Sequence, residues 1–121
     1  MNRHFSARLF PLVLTACLLP AFAHAANQYV RPGATGANNG ADWANALSKL
    51  PASLTRGDTY YLANGSYGSY VFNTANSGAS TITIKKAVES DHGTATGWSS
   101  SYGDGQSVFS NLSRTSKKIF T

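Results

Sequence analysis

Short bursts of aromatic and β-branched residues, each closed off by glycine, restrict the folds open to this chain more than any other feature. Thr59-Tyr60-Tyr61-Leu62-Ala63, Ser69-Tyr70-Val71-Phe72-Asn73, Thr81-Ile82-Thr83-Ile84-Lys85-Lys86 and Ser107-Val108-Phe109 are the main bursts, and Gln28-Tyr29-Val30 precedes them. Such segments predict strands. Asn64-Gly65 predicts a tight turn, because glycine accepts positive φ and asparagine tolerates it, and Ser77-Gly78-Ala79-Ser80 predicts another. Tyr60 to Ile82 is 22 residues and Ile82 to Val108 is 26. Short strands that return every twenty-odd residues predict the coils of a solenoid. A small β-sandwich is the alternative, since it too is made of short strands and frequent turns.

The segment ahead of the first long burst bears on that choice. Asp42 precedes Trp43, Leu47, Leu50 and Leu54, which are spaced 4, 3 and 4 apart. This predicts an amphipathic helix over about 43–50, with Asp42 as its N-cap and Trp43 in the core of a cap. A solenoid leaves apolar side chains and unpaired backbone at its open end, and a helix there would cover them. A sandwich needs no such lid. Expected inward residues are Tyr61, Val71, Ile82 and Ile84. The long stretch from Ser90 to Gly105 reads as a polar loop.

The first 25 residues read as a secretory leader. Arg3, His4 and Arg8 form a basic start, Leu9 to Leu19 is an apolar core too short to span a bilayer as a helix, and Ala23-His24-Ala25 is a small-x-small cleavage signal. Cleavage is expected between Ala25 and Ala26, which predicts a secreted or periplasmic product of a bacterial cell. Leu14-Thr15-Ala16-Cys17 offers a different cut, with Cys17 lipidated and the product an outer-membrane lipoprotein. The ordinary cut is preferred because the chain stays apolar after Cys17. No membrane span is expected.

Beyond the leader there is no cysteine, so neither disulfides nor thiolate metal sites are open to residues 26–121. The formal charge of +5 comes largely from the two ends. Residues 26–110 balance Arg31, Lys49, Arg56, Lys85 and Lys86 against Asp42, Asp58, Glu89, Asp91 and Asp104. A nucleic-acid surface would need a clustered basic face, so no nucleic-acid partner is expected. A neutral surface rich in Gly, Ser, Thr, Asn and Tyr suits an exported protein and is compatible with sugars.

Tyr29-Val30-Arg31-Pro32-Gly33, then Asn39-Gly40-Ala41-Asp42-Trp43-Ala44-Asn45-Ala46, then Gly57-Asp58-Thr59-Tyr60-Tyr61-Leu62-Ala63-Asn64-Gly65-Ser66-Tyr67 resembles the opening of secreted right-handed parallel β-helix proteins of the pectate-lyase-like superfamily. The resemblance spans about residues 29–86. It implies an all-β fold: the start of a right-handed parallel β-helix with an N-terminal amphipathic capping helix. The expected layout is a signal peptide at 1–25, a cap at 26–56, first coils at 57–110 and an atypical tail at 111–121. That fold hosts lyases, hydrolases, epimerases and passive surface proteins, so it fixes no activity. Such proteins run to many more coils, with the substrate groove on central ones. The tail lacks glycine and proline and carries Arg114, Lys117 and Lys118; it reads as the end of a truncated or frame-shifted product. The resemblance also makes Ca²⁺ a possible cofactor of the full-length form and an acidic or plant-type polysaccharide its possible partner, while this chain is expected to be inactive. The rival function is that of a non-enzymatic surface or adhesion solenoid.

Several residues invite chemistry, and each has a plainer reading. Arg56-Gly57-Asp58 spells an adhesion tripeptide but reads better as a turn into Thr59. Asp91-His92 with nearby serines would need a rigid frame to act as a nucleophile and base, and reads as solvated loop. Glu89, Asp91 and Asp104 have oxygen donors, but their spacing matches no calcium loop. Lys85 or Lys86 could face a groove as a base; the plainer reading is a soluble strand end. Tyr60, Tyr67, Tyr70, Trp98 and Tyr102 could stack on sugar rings, or Tyr60 and Tyr70 could pack between coils and Trp98 cover a surface. Asn64-Gly65-Ser66 and Asn111-Leu112-Ser113 match the glycosylation sequon, the first reading as turn chemistry. No catalytic residue is assigned.

Overall fold

The structure, a computed structural model, describes residues 25–75 and 78–114. Among these residues five strands form, in the order β1 (Asn27–Val30), β2 (Thr59–Leu62), β3 (Gly65–Phe72), β4 (Thr83–Lys86) and β5 (Ser107–Arg114). They make two small sheets, β1-β2-β4 and β3-β5. The fold is therefore all-β, and every ladder is parallel: Asn27 lies on Thr59, Thr59 on Thr83, and Gly65 on Ser107. Parallel strands cannot be joined by tight hairpins, so a long stretch of chain separates each strand from the one it pairs with. A sandwich of the expected kind would show antiparallel neighbours.

The pairing revises the spacing argument. Tyr60 lies on Ile84 in one sheet, while Ser66 lies on Val108 in the other. Tyr60, Ile82 and Val108 thus mark two different stacks, and their near-equal separation is coincidental. Asn64-Gly65 is the short link from β2 in the first sheet to β3 in the second. Gly65 opens β3, four residues ahead of the expected strand start. β5 runs through Asn111–Arg114, across the boundary expected after Ser110, because those residues pair in register with Ser69–Phe72.

The central strand of the three-stranded sheet, β2, is buried on both faces. On one side Val30, Tyr60 and Leu62 pack with Leu50, Leu54 and Tyr70, and Ile82, Ile84, Phe72 and Phe109 close around them. This is the layer between the two sheets. On the other side Tyr29, Tyr61, Trp43, Ala46, Ala63 and Ala87 form a second cluster, covered by Ala34, Trp98 and Tyr102 from the loops. A strand buried on both faces reads as a continuous apolar run, which explains Tyr60-Tyr61-Leu62. Of the expected inward residues, Ile82 and Ile84 do line the inter-sheet layer. Tyr61 faces the loop-covered side, and Val71 points outward.

No α-helix forms among the described residues; Ser100–Tyr102 is a single 3-10 turn. The helix expected over 43–50 is replaced by a folded loop. Asp42 does cap a turn, its Oδ1 accepting the Asn45 amide at 2.8 Å. The following backbone is then drawn to β1: Leu47 N–H donates to Tyr29 O and Arg31 N–H to Leu47 O, both at 2.8 Å. Asn45 O is occupied by the Asn39 and Gly40 amides. Those groups cannot also serve i→i−4 bonds. The apolar spacing divides accordingly, Trp43 entering the loop-covered cluster and Leu50 and Leu54 the inter-sheet layer. Cys17 and the rest of residues 1–24, like 115–121, lie outside the described residues.

Candidate functional site

A group of interacting polar side chains sits where β4 ends. Val88 and Asp91 exchange backbone hydrogen bonds at 3.0 and 2.9 Å, so Val88-Glu89-Ser90-Asp91 turns back on itself. That turn returns the Asp91 carboxylate to the strand it has just left. Lys85 Nζ donates to Asp91 Oδ2 at 2.9 Å, and Tyr61 Oη donates to Asp91 Oδ1 at 3.2 Å. Lys85 Nζ also lies 4.7 Å from the centre of the Tyr61 ring. Register explains the meeting: Tyr29, Tyr61 and Lys85 occupy one column of the sheet, and the two tyrosine rings stack at 5.6 Å.

The electrostatics set what this group can do. Hydrogen bonding to Asp91, and then to Tyr61, holds the Lys85 ammonium above its ordinary range. The same Lys85 bond holds the Asp91 carboxyl below its own. Both shifts move away from neutrality, whereas a general base or acid works best with a pKa near the operating pH. The group is a fixed ion pair, suited to hydrogen-bonding a polar ligand and ill suited to moving protons. Lys86 behaves differently: burial lowers its pKa, and its ammonium donates to Ala87 O at 2.5 Å and Tyr102 O at 3.2 Å. It ties the polar loop to the strand end.

The remaining candidates are dispersed. His92 stacks flat on Trp98 with ring centres 4.1 Å apart, and its Nδ1 lies 3.1 Å from Thr94 O. Asp91 is committed to Lys85 and Tyr61, so Asp91, His92 and a serine do not assemble as a nucleophilic set. Glu89 accepts from the Trp98 indole at 3.0 Å and Asp104 from Asn64 at 3.1 Å. The three acids weighed as oxygen donors point to three different partners, and no group of three or more metal-binding side chains gathers among the described residues. Arg56 reaches Ala75 O at 2.8 Å and Ser80 O at 3.2 Å, Gly57 takes φ +91°, and Asp58 is buried. The tripeptide is a turn whose acidic side chain is withdrawn from solvent.

Tyr60 and Tyr70 are core residues, the Tyr70 hydroxyl bonding Pro51 O. Tyr67 is half-buried, its hydroxyl directed at Ala63 O (2.6 Å) and Val30 O (3.2 Å). Trp98 and Tyr102 cover Trp43, at 5.1 and 6.0 Å between ring centres. Sequence reasoning missed Tyr29, whose hydroxyl accepts the Thr94 amide at 2.8 Å. It also missed that Asp58 is a buried acceptor. No periodic pattern marks either; the signal for Asp58 was an acid immediately before a strand that is apolar on both faces.

No protein-family model, curated protein or solved structure matches the chain.

Proposed function

We propose that these strands are the first coils of an exported right-handed parallel β-solenoid whose complete form binds or cleaves an acidic or plant-type polysaccharide, and that this portion serves as scaffold without catalysing a reaction. The observation that carries the reading is the pair of parallel ladders. β2 and β3 make one circuit, β4 and β5 repeat it, and each strand lands on its counterpart in the same sheet. Trp43, expected in the core of a cap, is fully buried against Tyr29 of β1, which supports a covered first coil. The pKa directions at Lys85 and Asp91 favour a non-catalytic part.

The outer face of the second sheet favours a second reading, a non-enzymatic surface solenoid. Exposed Ser66, Ser69, Ser110, Asn111 and Ser113 are hydroxyl- and amide-bearing, and Ser69 and Ser110 lie 3.3 Å apart at their oxygens. The exported full chain separates the two in native gels cast with and without polygalacturonate or xylan. Retardation by either polymer, with no ultraviolet-absorbing unsaturated product from polygalacturonate and calcium, is the expected result. Free migration in every gel would remove the polysaccharide reading, and product formation would remove the scaffold assignment.

A further inference from the structure

Ala26, the residue after the expected leader cut, meets a buried acid in the fold. The sequence expects a leader to be cut between Ala25 and Ala26. The structure places Ala26 N 3.0 Å from Asp58 Oδ1, and Asp58 is only 3% exposed. Its second oxygen accepts from Gln28 Nε2 at 3.3 Å. While Ala26 stands inside a longer chain, both of these donors are uncharged. A buried carboxylate with neutral partners is costly, and a cation held in good geometry offsets much of that cost.

We propose that removal of the leader completes this fold, the new α-ammonium of Ala26 seating on the buried Asp58 carboxylate. Water adds across the Ala25–Ala26 peptide bond under a leader peptidase; Ala25 leaves as a carboxylate, and the freed amine takes a proton. The nitrogen need not move. Ala26 O accepts the Thr59 amide at 2.9 Å and Asn27 pairs with Thr59, so its position is fixed from the strand side. One neutral donor becomes a charged one with three protons, and the start of β1 is locked to the turn before β2. Of the basic groups around that turn, Arg56 is engaged with Ala75 O and Ser80 O, and Lys85 with Asp91.

Export of the full 121-residue chain from a bacterial host, followed by N-terminal sequencing, should return Ala26-Asn27-Gln28. In the folded product the α-amine should titrate about one unit above its ordinary 7.7–8.0. Its acetylation at neutral pH should then be about tenfold slower than in the urea-unfolded chain. Because the folded value is raised, the stabilisation is complete below about pH 7.7 and fades as pH rises through the raised value. Asp58→Asn should restore the ordinary titration. Should that variant not fold, the parent α-amine followed by NMR decides the matter alone. A different N-terminus, or an α-amine titrating at or below the ordinary value, overturns the proposal.

Discussion

Trp43 offers the sharpest test of how the loops are held. It is completely buried, and it touches three elements far apart in sequence. Its ring meets Tyr29 of β1 edge-on at 5.0 Å and lies under Trp98 at 5.1 Å. Its indole N–H donates to His92 O at 2.9 Å, and its backbone N–H donates to Thr96 O at 3.1 Å. Truncating a buried tryptophan to alanine costs about 3–5 kcal/mol through lost transfer energy and the cavity left behind. The His92 carbonyl also loses a donor, which adds about 1 kcal/mol where water cannot replace it. Trp43→Ala should therefore cost about 4–6 kcal/mol, a large part of the roughly 5–15 kcal/mol that holds a small domain folded.

Urea and thermal denaturation of the purified protein, followed by circular dichroism so that no tryptophan is needed as the probe, measure this directly. At about 4–8 °C per kcal/mol, the melting midpoint should fall by at least roughly 16 °C. Trp43→Phe keeps a ring but not the donor and should lose roughly 1–2 kcal/mol. Trp98→Ala removes a half-exposed ring and should lose less than Trp43→Ala. A cost below about 1.5 kcal/mol for Trp43→Ala, or one equal to that of Trp98→Ala, would refute the reasoning, since both follow only if the polar loop leaves this face open.

Three further outcomes follow from other sites. Burial raises the Tyr67 pKa well above the ordinary value, with a hydrogen bond from Ser107 opposing it in part; the stabilisation from its proton is thus complete below about pH 10 and is lost as pH rises through the folded value. Tyr67 should be among the last tyrosines to ionise in an ultraviolet titration, and Tyr67→Phe should cost about 1 kcal/mol by denaturation. Gly97→Ala should be more damaging than a surface change, because the residue takes φ +73° and an added Cβ would meet Ala44 Cβ at 2.8 Å and the Ala44 backbone; a loss of at least about 1–3 kcal/mol is expected. The depressed Asp91 carboxyl and raised Lys85 ammonium give a contribution that is lost as pH falls through the folded Asp91 value and as it rises through the folded Lys85 value. Both groups are exposed, so the difference in melting midpoint between the parent and Asp91→Asn should be small and should shrink as salt is raised to about 0.5 M.

The strands were legible because their residue types suit a pleated, buried surface whatever lies beside them. β1, β2 and β4 follow bursts plain in the sequence, whereas their parallel pairing was not, since short, turn-separated strands serve a sandwich as well. The 43–50 segment misled because its spacing is true to a helix while its backbone has a better use. Leu47 is hydrogen-bonded to Tyr29 of β1 and to Arg31 just beyond it, and nothing in the local residues reports that a strand edge is waiting. The Lys85–Asp91–Tyr61 group was half legible: each residue was marked, but their meeting depends on the column that sets Tyr61 beside Lys85 and on a turn of the chain at Ser90.

The polar stretch 90–105 was the least legible part, and its role differs most from what its composition suggests. A solvated loop would have bonded to water, yet this one is fastened at several points to the sheet it covers: Thr94 N to Tyr29 Oη (2.8 Å), Trp43 Nε1 to His92 O (2.9 Å) and Lys86 Nζ to Tyr102 O (3.2 Å). Small polar residues fit this role because they carry the backbone close to aromatic rings, which then supply both apolar cover and hydroxyl or indole partners. Tyr29→Phe isolates one such fastening, keeping the ring that stacks on Tyr61 while removing the acceptor for the Thr94 amide. In the parent, hydrogen exchange at Thr94 should be protected to a degree close to that of the β2 amides. In the variant it should accelerate by roughly tenfold, the equivalent of about 1.4 kcal/mol for one lost buried bond, while Tyr61 and Leu62 in β2 change little. Rapid exchange at Thr94 in the parent would mean that the loop merely rests on the sheet, and the aromatic cluster would then owe its burial to Trp43 alone.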